Sequence, residues 1–496
     1  MGSVRLHCRS FQIVANYFQA PKKVLRIGAG YDDIGDPLQI LQAELSQHRV
    51  IATPAFKLPN LSGGAVGYLS YDCVRWFEPK TNRPLKDNLQ IPEALFMIYD
   101  TVVAFDHFYS TLTIVTHIRL PESISDDLQP AYDTACEMLR CIMSTIQQDN
   151  TPLPVTARKN PTEAAVEAQY SSNIGRHGYE SFVTNLKKHI VDGDIVQAVP
   201  SQRFSRKTSV HPFNIYRTLR STNPSPYMFY LSCAEFTIMG ASPECLMKTD
   251  GYISQPPDPY SRLRIVNHAI AGTIARGSTT AEDAALAEQL QSSVKDRAEH
   301  VQLVDLARND VNRVCDPQSV RVDRLMSVDR FSHVQHLTSE VSGVLRSGFT
   351  RWDAFRSIFP AGTVSGAPKI KAIQLVYDLE QEKRGVYAGA VGWFGYDVVC
   401  LEKIRQDGSK GLAVNPLKEG PVDTCIAIRT MLVKNGTAYL QAGGGIVYDS
   451  EETPEWLETM NKLAANLRCL EIAEKRFEGR AVVKSVQDII EEESRK

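Results

Sequence analysis

Four carboxylates in this 496-residue chain are spaced for chemistry. Asp296 and Glu299 stand three residues apart in KDRAEHVQLVDLARND (Lys295 to Asp310), and Glu455 and Glu458 repeat that spacing in TPEWLETMNK. Residues i and i+3 of a helix share a face, so each doublet sets two like charges together, at about a few tenths of a kcal/mol if exposed. Either doublet alone is served by a solvated acidic face, neutralised by Lys295 and Arg297 or by Lys462, one turn beyond Glu458. Two doublets beside glycine-rich and basic motifs fit a hard cation such as Mg²⁺, which uses few protein carboxylates and takes other oxygens from water or substrate.

Other residues carry possible chemistry singly. GASPE (Gly240 to Glu244) ends an apolar run with a carboxylate at a turn, a place for a general acid where water is excluded. Arg429 interrupts the apolar run CIAIRTMLV. It either faces solvent or reaches into a pocket, where a guanidinium grips a carboxylate bidentately. His336 in VQHL is either a core histidine or a catalyst. GTVSGAPK (Gly362 to Lys369) lacks the GxxxxGK[ST] spacing of a nucleotide loop, but offers a hydroxyl and backbone donors at a loop-to-helix junction. QAGGGIVYD (Gln441 to Asp449) lets backbone N–H groups approach a ligand closely, or is a tight turn.

The elements that must position these groups are legible in part. Ser293 followed by Asp296 is a capping-box-like start. Val301, Leu303, Val304, Leu306 and Ala307 then recur at helical spacing, predicting a helix with a wide buried face. Thr453 and Pro454 read as N-cap and first residue of a last helix. Helices are also expected over 130–146 and from Tyr179 to Val191. Strands are expected over Val196–Arg203, Met228–Cys233, Phe236–Gly240, the run carrying His336, CIAIRTMLV and the run to Ala442 after a turn at Asn435 and Gly436. Phe96 to Ile118 reads as two strands around a turn at Asp106 and His107, Tyr387 opens a hairpin-like run to Tyr396, and residues 254–264 read as an exposed loop. Residues 397–422 read as irregular. Strands and helices are grouped more than alternating, which predicts an α+β fold with largely antiparallel sheets. The polar, proline-bearing stretch 147–174 is the linker candidate. It separates an N-terminal region, 1–146, from a domain over 175–472, and a helical tail follows over 473–496.

Composition narrows the partners. Net charge is −2, with 43% hydrophobic and 23% charged residues, so no polyanion footprint points to nucleic acid or a membrane surface, and no apolar run reaches spanning length. Ten cysteines without a CxxC pair read as reduced residues of a cytoplasmic protein. The basic, acid-free first thirty-one residues have the composition of a transit segment without its amphipathic or Ser-rich pattern.

DGDIVQAVPSQR, NPSPYMFY, GASPE, AIAGT, DRAEHVQLVDLARND, FPAGTVSGAPK, RGVYAGAVG, CIAIRT, QAGGGIVYDS and ETMNK occur in this order. In them the chain resembles the chorismate-utilising enzymes, and among these the large-subunit family of anthranilate synthases, from about Pro21 to Leu470. The resemblance implies two packed, mainly antiparallel sheets with helices outside, an α/β/β/α sandwich. It implies Mg²⁺ on Glu299 and Glu458, with Asp296 and Glu455 supporting through water, and chorismate's enolpyruvyl carboxylate on Arg429 and Tyr387 with backbone donation from Gly443 and Gly445. Gly272, Thr273 and Thr363 would line the ring, and Lys462 would add positive charge. Glu244 would protonate the departing hydroxyl as ammonia attacks, and His336 would aid the later loss of pyruvate. Ammonia would come from a glutaminase subunit on a separate polypeptide.

Two positions separate the alternatives within that family. Isochorismate and salicylate synthases place a general-base lysine where this chain has Gln197, and aminodeoxychorismate synthases a nucleophilic lysine where it has Ala271. The rivals kept open are an aminodeoxychorismate synthase and a non-catalytic paralogue acting as a regulatory or scaffold subunit. The chain also departs from the family pattern. The N-terminal LLES motif is missing, whereas the other half of the tryptophan pocket, including Asn223, Pro226, Tyr227 and Met228, is intact. Weak or absent tryptophan inhibition is therefore expected, and a titration showing tight inhibition would contradict it. Ala269 replaces a proline, Asp296 is shorter than the usual Glu, and 397–422 is an insertion of about a score of residues.

Overall fold

The computed structural model describes residues 5–7, 22–28, 35–52, 58–119, 127–148, 153–154, 170–253, 262–331, 334–400 and 418–478. The fold is α+β, two packed sheets between layers of helices. The larger has nine strands, ordered Arg321–Arg330, Val334–Val344, Arg262–Ala275, Cys245–Ile253, Val422–Ile426, Ala390–Gly395, Gly64–Leu69, Ala94–Tyr99 and Lys23–Ile27. The smaller has six, ordered Tyr227–Ser232, Phe236–Ser242, Thr430–Lys434, Thr437–Gly443, Ser201–Lys207 and Ser171–Ser172. Every pairing in both sheets is antiparallel.

Period-two alternation builds the layers, because successive strand residues point to opposite faces. Leu95, Met97, Val391 and Cys425 of the large sheet meet Leu231, Phe236, Ile238 and Leu432 of the small one in a core between the sheets. Their neighbours Phe96, Ile98, Ala390 and Ile426 face the other way, against Leu303, Val304, Phe355 and Ile373 of three helices. On the outer side of the small sheet, Met239, Met431 and Leu440 pack on Trp456, Met460 and Leu463. Strands from residues 23–99 thus complete a sheet whose other members come from residues 245–426. A separate three-stranded sheet, Arg5–His7, Thr111–Thr116 and Thr101–Asp106, lies beside it, and Leu112 and Ile114 pack on the Gln129–Gln147 helix.

Several local expectations change. Phe96–Ile118 contains parts of three strands, with Asp106 Oδ1 accepting the Phe108 and Tyr109 N–H groups at the turn. Pro200 has no N–H to donate and splits the expected Val196–Arg203 strand into Gln197–Ala198 and Ser201–Lys207. Tyr387 precedes its strand, which begins at Ala390 and is single. Asp397–Cys400 is a strand too, pairing in parallel with Arg49–Ala52, while 401–417 lie outside the described residues. So do most of the linker, 254–261 of the expected loop, and 479–496 of the tail, the rest of which continues the last helix. That helix starts at Glu452, so Thr453 is not its cap and bonds Glu180 instead. Helix Val294–Asn312 is capped by Ser293 as expected, but Val301 is exposed and His300 takes its place on the buried face.

CIAIRTMLV is the largest correction. It is not one strand: Val422–Ile426 ends in the large sheet, and Thr430–Lys434 begins in the small one. Beside it, Phe236–Ser242 of the small sheet passes into Cys245–Ile253 of the large one. The two crossings are laced together. Ile426 N–H donates to Glu244 O (3.0 Å), Ala241 N–H to Arg429 O (3.2 Å), and Ser242 Oγ to Ile426 O (2.7 Å).

Candidate active site

Glu244 and Arg429 occupy those two crossings. Arg429 has φ +52, a left-handed conformation that side chains rarely adopt and that persists where surrounding structure imposes it. Its side chain is half-buried rather than turned to solvent, near Tyr387 and Glu458, the two neighbours whose charge favours its protonated form; burial is the larger influence and pulls its pKa below the ordinary value. Tyr387 is held close by, and burial pushes its hydroxyl up to about 12 while the Gly443 backbone hydrogen-bonds it.

Glu244 is the driest acid of the set, 3% exposed. Burial raises its pKa to about 8, against hydrogen bonds from the Thr363 hydroxyl (3.0 Å, to Oε1) and the Ile270 backbone, which favour the ionised form. At neutral pH it is therefore mostly a protonated carboxylic acid able to donate. Thr363 sits in the tight turn Gly362–Val364, and Lys369 beyond it is engaged by Asp310 at 2.7 Å, so this loop holds no phosphate lysine.

A bulge in the Arg262–Ala275 strand between Ile270 and Thr273, with Gly272 at φ +84, redirects the next residues. Thr273 Oγ1 thereby meets His336 Nδ1 at 2.8 Å. Burial, then the nearby Arg429 charge, lowers His336 to about 4, so the ring is neutral in the working range.

The acidic doublets converge from two helices. Glu299, partly buried, has its pKa raised by burial and further by Glu458 and Asp296, with Lys462 opposing. Lys462 Nζ pairs with Glu458 (2.6 Å, i to i+4) and donates to Gly443 O (3.0 Å). Asp296 accepts from Ser293 Oγ at 2.5 Å, and Glu455 from Ser450 Oγ at 2.6 Å. Among the described residues no group of three or more His, Cys, Asp or Glu side chains is drawn close enough to hold a metal ion unaided. Yet the other oxygen of Glu455, buried beside Gly444, has no hydrogen-bond partner among the described residues. Crowded carboxylates, one with an orphaned buried oxygen, suit an oxygen-liganded cation that brings its own waters.

Gln197 pairs with Ala367 in a two-stranded ribbon, fixing it against the GTVSGAPK loop. Its Oε1 accepts from Gln302 Nε2 (3.0 Å), and a Cβ at Gly445 would come within 2.4 Å of its Nε2, so any larger residue there would push the amide aside. Gly444 N–H is already held by the Tyr179 hydroxyl at 3.0 Å. Asn223 ends the Pro212–Thr222 helix, exposed Pro226 follows, and Tyr227 and Met228 open the small sheet's edge strand. Tyr227 pairs with Ser242, two residues before Glu244, and its hydroxyl donates to Asp423 at 3.0 Å.

Sequence reasoning missed Tyr179 and His300. His300 Nδ1 lies 3.1 Å from Ala271 O and Nε2 2.6 Å from Ser339 Oγ, which steadies the Gly272 bulge. Its signal was present in the helical stripe Asp296, His300, Leu303 and Ala307. Tyr179 carried none, since its work depends on a glycine more than 260 residues away.

Other proteins share the sequence and fold of this chain. The profile of chorismate binding enzymes matches residues 8–401 and 413–468, leaving 402–412 as a narrower insertion than 397–422. Anthranilate synthase component 1 of Saccharomyces cerevisiae is 52% identical over 449 residues, 90% of this chain and 81% of the relative. The probable component 1 of Schizosaccharomyces pombe is 52% identical over 442 residues, 89% of this chain and 82% of that protein. The crystal structure of anthranilate synthase component I from Streptococcus pneumoniae superposes with a TM-score of 0.70 at 32% identity, covering 93% of this chain and 94% of that one. The chain therefore belongs to the chorismate-binding enzyme family, beside the component 1 chains of anthranilate synthases.

Proposed function

We propose that this chain is the aminase component of an anthranilate synthase, a lyase that converts chorismate and ammonia to anthranilate, pyruvate and water for tryptophan biosynthesis. The observation that carries the reading is Glu244: a desolvated acid, 3% exposed, at a strand crossing that backbone hydrogen bonds lace to the crossing holding Arg429. Arg429 and Tyr387 grip the enolpyruvyl carboxylate, while Gly272, Thr273 and Thr363 border the ring. Ammonia attacks the carbon next to the carboxylate-bearing one, and Glu244 gives its proton to the departing ring hydroxyl, which leaves as water. His336, neutral and hydrogen-bonded to Thr273, adds no second cation beside Arg429 in the step that releases pyruvate.

Glu299 and Glu458 would hold Mg²⁺, with Asp296 and Glu455 behind them. When bound, that ion supplies Lewis acidity and a template for the ring carboxylate. Gln197 offers an amide in place of a base, which suits a nucleophile that needs no deprotonation before attack. Ammonia would come from a glutaminase subunit on a separate polypeptide. In support, six of the described cysteines are buried with thiols pushed up by burial, the reverse of an activated nucleophile.

The test is the purified chain with chorismate, Mg²⁺ and ammonium at mildly alkaline pH, followed by anthranilate fluorescence. Fluorescent product that requires both added ions is expected. Aminodeoxychorismate as the end product, or no turnover, would replace this reading.

A further inference from the structure

Arg384, three residues before Tyr387 in RGVYAGAVG, is fully buried and engages every side it can reach. Its guanidinium forms a fork with Glu380, Nε to Oε2 at 2.9 Å and Nη2 to Oε1 at 2.8 Å. Two further donors go to backbone carbonyls, Nη1 to Val364 O (3.0 Å) and Nη2 to Val199 O (2.6 Å). Val364 follows Thr363, the donor to Glu244, and Val199 lies two residues past Gln197. Glu380 in turn accepts the N–H and hydroxyl of Ser201 at 2.7 and 2.9 Å, and Ser201 pairs across the small sheet with Gly443. The guanidinium also lies 5.8 Å from the centre of the Tyr387 ring.

A buried ion pair is weak evidence for stability, since apolar residues of equal volume often serve as well. What this pair does that apolar residues would not is aim four directional hydrogen bonds at segments from distant parts of the chain. We propose that Arg384 and Glu380 are positioning residues that fix the spacing between the acid half of the site, Glu244 with Thr363, and its anion-gripping half, Tyr387 with Gly443. The inference rests on the function proposed above and names which buried groups set its geometry. The fork is what matters: a lysine keeps the charge against Glu380 but cannot reach both carbonyls and the carboxylate at once.

Two variants of the full chain test it in the anthranilate assay with Mg²⁺ and ammonium. Arg384→Lys should fold with a Tm near the wild type, bind chorismate with little change in KM, and lose about 100-fold in kcat. Its alkaline limb should move upward, because a relaxed Thr363 no longer favours the ionised form of Glu244. The double variant R384M/E380M leaves no orphaned charge, and kcat should stay low in it despite a normal melting curve. Wild-type kcat and an unmoved limb in either folded variant would overturn the proposal, and R384K decides alone if the double variant does not fold. A wild-type chain that forms no anthranilate would instead refute the proposed function itself.

Discussion

Glu244 and Glu299 are the same side chain on two sides of one site. Glu244 sits at a strand crossing, 3% exposed, with one hydroxyl and one backbone group for company, and its pKa rises to about 8. Glu299 sits on a helix, half-buried, raised by burial and by two neighbouring acids but opposed by Lys462. In the proposed function the first environment serves a proton donor, and the second crowds carboxylates that a cation would neutralise. Burial raises both carboxyls, so the company each keeps is what separates the two proposed roles.

The sharpest way to break that contrast is Glu244→Gln, which should lower kcat by about 10²–10⁴-fold with chorismate affinity retained. It should also change stability with a defined sign. Between its ordinary 4.5 and about 8, the folded chain binds more protons at Glu244 than the unfolded chain, so wild-type stability falls as pH rises through that window. The variant lacks this slope, and melting curves across the window check it. Unchanged turnover in E244Q would end its role as acid.

Next in size is Glu299→Gln, expected to raise the Mg²⁺ concentration for half-maximal activity at least about 100-fold, beyond what loss of a merely supporting group does. A Mg²⁺ titration reads this directly, and an unshifted curve would return the doublet to a solvated face. Arg429→Gly should raise KM for chorismate by about 10- to 100-fold through loss of a charge-assisted pair. Its thermal stability should stay within about 1 kcal/mol, because glycine relieves the left-handed backbone at that position. Smallest is Thr363→Val. Losing a donor that favours ionised Glu244, the alkaline limb of kcat should move above about pH 8, with kcat within about tenfold of wild type. A limb that moves down would mean that another group sets it.

Local chemistry was legible in the residues. Ser293 capping its helix, the Asn435–Gly436 turn with φ +49 and +67, and the Glu458–Lys462 pair all follow from interactions within a few positions of each other. The motifs also carried the family resemblance, and with it the layered fold and the candidate residues. What failed was continuity. Nothing in CIAIRTMLV distinguishes a nine-residue strand from two strands in different sheets, because both alternatives read as apolar residues around one arginine. Thr453 misled in the same way, being a good cap that the Glu180 carboxylate claimed first.

By itself, then, the sequence determined which residues can donate, accept or carry charge, and where the chain must turn, since these depend on side-chain type and short-range spacing. Only the tertiary structure decided which carboxylate is kept dry and which are crowded together. That choice depends on desolvation and on partners such as Thr363, 119 positions from Glu244, which no local pattern encodes.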